Sequence, residues 1–299
     1  MAAPPRRRLV RRQRRLSPDP QRDRRARVGR SASRGDPSAR AASRPADHLA
    51  VPPRHRGCRW GGAVVSPTAN HARGGTLALL GGGEWSDGTR DLDRELIAAS
   101  GAKEAVVIPA AAAYEHPERV ADRAAAHFEA LGIKARTLPV LNRRDAEDPN
   151  HAEIVRKARL VYLCDGSPLH LRSVLKGSVL FDAVLSAYHG GAALAASGAG
   201  ATLVGDPMVD PRGGAYTVGL GVVPNLAVFP YHGTAAAHLR ERSIDLLPRS
   251  ARLVGVDDAT ALVRDRDGSW RVAGVGRVTV YEGRTCTAYA AGDTVPDLG

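Results

Sequence analysis

The segment LAASGAGATLV, residues 194–204, has the composition of a strand that turns sharply into a helix. An apolar run enters a serine and three very small residues, and then becomes apolar again. Enzymes that cleave acyl bonds carry a nucleophile on such a bend in a G-x-S-x-G pattern, because only small neighbours let strand and helix approach closely. With Gly200 as the last glycine of that pattern, Gly198 stands at the nucleophile position and Ser197 precedes it by one residue.

This offset leaves two alternatives for Ser197. If the strand slips by one residue, Ser197 reaches the bend between the small residues Ala195 and Ala199. The slip moves every side chain of the strand to the opposite face of the sheet, which destabilises the packing of the whole strand. Without the slip, Gly198 lies on the bend and Ser197 is expected to bond a neighbouring backbone group. The segment thus predicts either a shifted active site or an inactive or repurposed one.

Acyl transfer at a serine also needs a base and a third group that orients the base. His232 is the candidate base, with an ordinary surface-loop histidine as the alternative. The segment DPMVDPRGG offers Asp206 and Asp210 as orienting acids, and we choose Asp210. Arg212 could pair with a substrate carboxylate, or could be a solvated arginine on a loop.

Two further segments bear on ligand binding. In DGSPLHLRSVL, Ser167 caps a helix with proline in its first turn, so free N–H groups could hold an anion, although a plain capped helix has the same pattern. The loop GGGEW contains Glu84, a candidate substrate-binding residue. This loop continues into neither a phosphate-binding P-loop nor a dinucleotide-binding motif. No cofactor is therefore expected.

The strands and helices that position these residues are predicted from the sequence pattern. Short apolar runs bounded by Gly or Pro alternate with amphipathic stretches. That pattern predicts a doubly wound α/β fold with a mostly parallel sheet. Residues 170–190 are expected to be helical, and the short strands after residue 251 suggest an antiparallel extension at one sheet edge. Ligands of such sheets sit beyond the carboxyl ends of the strands. Four unusual segments follow strands and should meet there: residues 81–85, 110–115, 164–168 and 197–200.

The charge is concentrated at the amino end. Residues 1–73 contain 19 Arg and 4 Asp, whereas the remainder carries a net charge of −3. This tail lacks apolar periodicity and is expected to be disordered, and residues 74–299 are expected to form the α/β domain. The tail suggests an over-extended reading frame with a true start near Val64 or Val65, and the alternatives are a nucleic-acid arm or a transit peptide. Nucleic-acid binding by the folded part is not favoured, since that part is slightly acidic.

The remaining composition is that of a cytoplasmic protein. No apolar run is long enough to span a membrane, and no signal-peptide core is visible. The three cysteines, Cys58, Cys164 and Cys286, have neither disulfide nor metal-ligand spacing, so no metal is expected. Cys164 ends an apolar strand and is expected to be a small buried hydrophobe. The oligomeric state is left open.

Taken in order, the segments GGGEW, DGSPLHLRSVLK, ASGAGATLV, DPMVDPRGG, TVGLGVV and FPYHG resemble the S51 peptidase family, which includes dipeptidase E and cyanophycinase. The resemblance spans roughly residues 75–285. It implies a flavodoxin-like fold of the type 1 glutamine amidotransferase class. It also implies a serine hydrolase that cleaves peptides next to an acidic residue, with an oxyanion hole from two backbone N–H groups.

The family pattern is not met at every position. Its elbow, G-[ST]-S-A-G-A, places Gly198 at the nucleophile and makes Ala199 one oxyanion donor. The family's glycine pair becomes Asp165-Gly166, so Gly166 remains a donor while Asp165 brings a carboxylate close to the developing negative charge. The family's P-H-[HYF] motif becomes Pro-Tyr-His, so Tyr231 stands at the base position or His232 is displaced by one residue.

Two functions follow as alternatives. One is a serine peptidase-like hydrolase of small acidic peptides with a degenerate elbow, either active or inactive. The other is a non-catalytic protein on the same fold that recognises a small acidic peptide or amino-acid derivative.

Overall fold

A computed structural model of the protein describes residues 74–296 and 298. The predicted tail, residues 1–73, lies outside the described residues. The packed core begins within the first three described residues, because Gly75 N–H donates to the Tyr188 carbonyl at 2.7 Å and Thr76 is buried. Within the described range, no helix combines the length and apolar character needed to cross a bilayer.

Five parallel strands form one side of an eight-stranded sheet and reach its edge at β3, in the spatial order β1-β5-β4-β2-β3. These strands are β1 (Leu77–Leu80), β2 (Glu104–Ile108), β3 (Lys134–Thr137), β4 (Leu160–Leu163) and β5 (Ala193–Ser197). Every residue of β1, β4 and β5 is buried, as expected for strands covered on both faces. This arrangement confirms the predicted doubly wound α/β fold.

Helices cover both faces of this sheet. They are α1 (Arg90–Ser100), α2 (Pro117–Ala130), α3 (Arg143–Ala146), α4 (Pro149–Lys157), α5 (Pro168–Leu175), α6 (Val179–His189) and α7 (Ala199–Val204). A further helix, α8 (Ala237–Asp245), packs instead on a second sheet in the carboxyl-terminal half, through Leu239 and Ile244. Successive β1 residues pack into hydrophobic clusters on opposite faces of the sheet. Leu79 packs in the cluster that includes Leu180 of α6, and Leu80 packs in the cluster that includes Phe128 of α2. Side chains that alternate along a strand thus hold one helical layer on each face.

The helical stretch expected over residues 170–190 is two helices. Gly177 adopts a positive φ of 66° after α5, and the Ser178 side chain accepts a hydrogen bond from Phe181 N–H at the start of α6. Glycine tolerates that backbone conformation and serine caps the new helix, so the break is encoded locally.

The carboxyl-terminal half adds short strands. They are β6 (Gly205–Asp206), β7 (Met208–Val209), β8 (Tyr216–Thr217), β9 (Val223–Pro224), β10 (Leu226–Phe229), β11 (Arg252–Val256), β12 (Thr260–Arg264), β13 (Trp270–Gly274), β14 (Arg277–Glu282), β15 (Thr285–Ala290) and β16 (Thr294–Val295). Strand β12 pairs antiparallel with β1, and β13 and β16 follow outward, which is the predicted edge extension. Strands β11 and β14 instead belong to a second sheet of order β15-β14-β11-β10-β6-β9, where β11 runs parallel to β10.

The loops after β1, β2, β4 and β5 meet at one rim of the main sheet, as predicted. Gly198 N–H donates to the Leu80 carbonyl at 3.0 Å, and Ser167 N–H donates to the Ala111 carbonyl at 2.8 Å. Cys164, at the end of β4, is fully buried, and burial raises the pKa of its thiol well above the ordinary value. The rim therefore brings together the loops that carry the candidate site.

Candidate active site

The bend between β5 and α7 has the backbone of a nucleophile elbow. Strand β5 ends at Ser197, and Gly198 turns the chain with φ 48° and ψ −104° before α7 starts at Ala199. The parallel register with β1 pairs Ser197 with Leu80. Gly198 therefore occupies the bend, as in the unslipped alignment.

Ser197 points into the protein interior. Its side chain is fully buried, and its hydroxyl donates to Oε2 of Glu84 at 2.7 Å. Glu84, expected to bind substrate, is itself buried, and its backbone carbonyl accepts a hydrogen bond from Arg123 at 2.8 Å. The partner of Ser197 is thus a carboxylate distant in sequence, and the expected bond to a neighbouring backbone group was wrong.

Asp165 lies where the missing nucleophile would project. A β-carbon built on Gly198 would overlap Oδ1 and Cγ of Asp165. Oδ1 accepts hydrogen bonds from Ala199 N–H and from Gly166 N–H, both at 2.7 Å. These are the two donors that the family pattern assigns to the oxyanion hole. The carboxylate of Asp165 therefore bonds both predicted oxyanion donors and fills the space into which a Gly198 side chain would project.

The charge of Asp165 is not matched by a basic partner among the described residues. Burial raises the pKa of this carboxyl to about 6, and the two backbone N–H bonds oppose that rise. The negative charges of Glu84 and Glu115 raise it further. At neutral pH the carboxylate is still mainly ionised, so a negative charge stands at the centre of the site.

His232 is held by the second sheet. Its Nε2 shares a hydrogen bond of 2.7 Å with the Tyr281 hydroxyl, and its Nδ1 lies 3.6 Å from Oδ1 of Asp257. Burial, with the Arg240 guanidinium nearby, holds the pKa of His232 below its ordinary value, although Asp257 opposes this. The imidazole is therefore neutral at neutral pH. Sequence reasoning missed Asp257 and Tyr281, because the pairing of β10 with β11 brings Asp257 to the histidine and the pairing of β11 with β14 brings Tyr281.

Asp210 contacts Arg212 rather than His232. The Arg212 side chain donates to Oδ1 at 3.0 Å and to Oδ2 at 2.6 Å, and Arg212 N–H also donates to Oδ1. The guanidinium holds the pKa of Asp210 below its usual value. The carboxylate beside His232 is Asp257, and Arg212, which is largely exposed, is engaged by its own neighbour.

Tyr231, at the base position of the family motif, is fixed against the glycine loop. It adopts a positive φ of 54°, and its N–H donates to the Gly81 carbonyl at 2.7 Å. A β-carbon on Gly82 would overlap the Tyr231 ring, so this close approach requires glycine. A non-glycine residue in the left-handed region is held there by its surroundings and is commonly found at binding sites.

A pocket of about 190 Å³ opens at this rim. Four predicted site residues line it, namely Gly166, Ala199, Asp210 and Tyr231, together with Asp165. Its remaining wall is largely apolar and includes Pro168, Val209, Phe229, Ala235 and Leu239. The other predicted site residues do not line it: Glu84, Ser167, Ser197, Gly198, Arg212 and His232. The two predicted oxyanion donors, Gly166 and Ala199, thus line the pocket, whereas the glycine of the bend and the predicted serine and histidine do not.

Ser167 acts as a helix cap. Its side chain accepts a hydrogen bond from His170 N–H at 3.3 Å at the start of α5. Among residues 74–296 and 298, no group of three His, Cys, Asp or Glu side chains is arranged to hold a metal ion.

The fold is a doubly wound α/β sheet with a sharp strand-to-helix bend at Gly198. The model of peptidase family S51 matches residues 77–269, and the chain belongs to that family. A cyanophycinase of Geminocystis herdmanii is 25% identical over 227 residues, covering 70% of this chain and 81% of that protein. A cyanophycinase of Trichormus variabilis is 27% identical over 222 residues, covering 69% of this chain and 73% of that protein. The crystal structure of a peptidase from an acI-B1 Actinobacterium has a TM-score of 0.69 and 28% identity, covering 74% of this chain and 96% of that one.

Proposed function

We propose that this chain is a ligand-binding member of family S51 that does not hydrolyse peptides through a serine. The observation that carries the proposal is the carboxylate of Asp165, which accepts hydrogen bonds from Ala199 N–H and Gly166 N–H. A tetrahedral intermediate needs free donors at the place where its oxyanion forms. Here the carboxylate of Asp165 already accepts a hydrogen bond from each of these two donors.

The position of the serine supports the same conclusion. A serine nucleophile must reach both the substrate and a base. Ser197 is fully buried, its hydroxyl is bonded to Glu84, and it does not line the pocket. His232, bonded to Tyr281, does not line the pocket either.

The ligand that we propose is a small peptide or amino-acid derivative. Membership of family S51 supports a binding site at this rim, and the pocket volume of about 190 Å³ supports a small ligand. Selectivity for an acidic residue would need an available cation. Arg212 is the candidate from the sequence, but its guanidinium already pairs with Asp210 at 2.6 Å.

The test is labelling of the full chain with a fluorophosphonate, followed by an assay of aspartyl dipeptide hydrolysis. We expect neither labelling nor turnover. The double variant Asp165→Gly/Gly198→Ser serves as the positive comparison, since it frees both donors and puts a hydroxyl on the bend. Its matched control is Asp165→Gly/Gly198→Ala, which lacks only the hydroxyl. Labelling of the wild-type chain at Ser197, abolished by Ser197→Ala, would overturn the proposal.

A further inference from the structure

One oxygen of the Asp165 carboxylate has no donor among the described residues. Oδ1 takes both backbone hydrogen bonds, at 2.7 Å each, and Oδ2 takes none from residues 74–296 or 298. The other carboxylate that lines the pocket, Asp210, has both oxygens engaged by Arg212. Asp165 is therefore the unpaired negative charge of the pocket wall.

The other described residues of the pocket offer no positive charge to balance the Asp165 carboxylate. The described residues that line the pocket include no Lys, Arg or His. Val209, Phe229 and Leu239 provide apolar surface in the same pocket. A half-buried carboxylate beside apolar walls is poorly solvated, so a positively charged donor stabilises it more than water does.

We propose that the pocket selects ligands with a free ammonium group, which binds Asp165, and an apolar side chain, which packs on Val209, Phe229 and Leu239. This inference rests on the proposed function, since it assigns the ligand class of the same pocket. It replaces the acidic ligand expected from the family pattern with a cationic one. An anionic ligand would meet the Asp165 carboxylate directly and would be repelled.

Three matched probes of similar size test the charge requirement. L-leucinamide carries an ammonium and an apolar side chain, N-acetyl-L-leucinamide lacks the charge, and N-acetyl-L-leucine carries the opposite charge. Titration calorimetry with the full chain at pH 7, where the amine of L-leucinamide is mainly protonated, is expected to detect only L-leucinamide. Absence of leucinamide binding up to about 10 mM, or tighter binding of N-acetyl-L-leucine, would overturn the inference.

The Asp165→Asn variant tests the residue. It keeps the acceptor for the two N–H groups and removes the charge, and we expect leucinamide affinity to fall about tenfold or more, as for loss of a hydrogen bond to a charged group. Asp182→Asn, an exposed acid on α6, is the matched control for net charge and should leave affinity unchanged. Circular dichroism checks that both variants fold. Equal affinity in wild type and Asp165→Asn would refute the role of Asp165.

The two proposals fail in different ways. Serine labelling and turnover by the wild-type chain would refute the non-hydrolytic function whatever the charge preference. A preference for neutral or anionic probes without turnover would refute the ammonium selectivity alone.

Discussion

The carboxylate of Asp165 and a side chain on Gly198 would occupy the same volume. Gly198 keeps the backbone of a nucleophile elbow, with φ 48° and ψ −104°, but carries no side chain. Asp165 fills that space from the loop after β4 and holds the N–H of Ala199. The two positions are therefore coupled, and neither can be interpreted alone.

This coupling predicts that substitutions at Asp165 and Gly198 have strongly non-additive effects on the free energy of unfolding. Gly198→Ser alone should lower the free energy of unfolding by several kcal/mol, because the new side chain meets Asp165 and the positive φ disfavours a non-glycine residue. Combined with Asp165→Gly, the loss should be smaller than the sum of the single losses, by about 1–3 kcal/mol. Urea denaturation of the four chains measures this difference. Additive losses would show that the overlap is relieved by a small shift and that the positions are independent.

The raised pKa of Asp165 predicts a pH-dependent stability difference. This pKa is about 6 in the folded protein against an ordinary value of 3.8, so between these values the folded state binds more protons than the unfolded state. The contribution of Asp165 to stability is greatest below the lower value and declines as pH rises towards 6. The Asp165→Asn variant has no ionisable carboxyl at this position, so its free energy of unfolding lacks this decline with pH.

The measurement is denaturation of wild type and Asp165→Asn between pH 4.5 and 7.5. The stability of the variant relative to wild type should increase with pH by on the order of 1–3 kcal/mol, after allowance for solvent screening. A difference that stays constant over this range would contradict the raised pKa.

Ser197 is expected to act on stability. Ser197→Ala removes the hydroxyl that donates to the buried carboxylate of Glu84, and an unsatisfied buried group costs about 1–3 kcal/mol. Ser173→Ala, which removes an exposed hydroxyl bonded to the His170 carbonyl, is the control and should cost much less. Thermal unfolding of the two variants compares them. If Ser197→Ala unfolds at the wild-type temperature, the Glu84 contact contributes nothing.

Removal of the basic tail is expected to leave the domain unchanged. The described core is closed from Gly75 onward, where the backbone packs against Ala192 and bonds Tyr188. A chain that begins at Val65 should therefore show the thermal transition of the full chain in calorimetry. A marked fall in the transition temperature would show that the tail contributes to the folded state.

The fold was predictable because its signals are local. Apolar runs end at glycines, and the loops after parallel strands must meet at one edge, so the rim and a bend near residues 197–200 follow from the sequence. The sequence leaves open whether Ser197 or Gly198 lies on that bend, and the structure places Gly198 there. The charge environment depends on long-range contacts. Glu84 lies 113 positions from Ser197, and Asp257 reaches His232 only through the second sheet. The proximity of Asp165 to the oxyanion donors was foreseeable, but its occupation of both donors required the structure.

The overlap at the bend also makes the order of mutations matter for any evolutionary gain of a serine nucleophile. If Gly198→Ser arises first, the new hydroxyl enters a space already filled, and the carrier has a less stable protein with no compensating activity. If Asp165→Gly arises first, the space opens and the later serine can be accommodated. The path that begins with Asp165→Gly is therefore far more accessible to selection than the path that begins with Gly198→Ser. A lineage that retains Asp165 does not readily gain a serine nucleophile at position 198 in a single step.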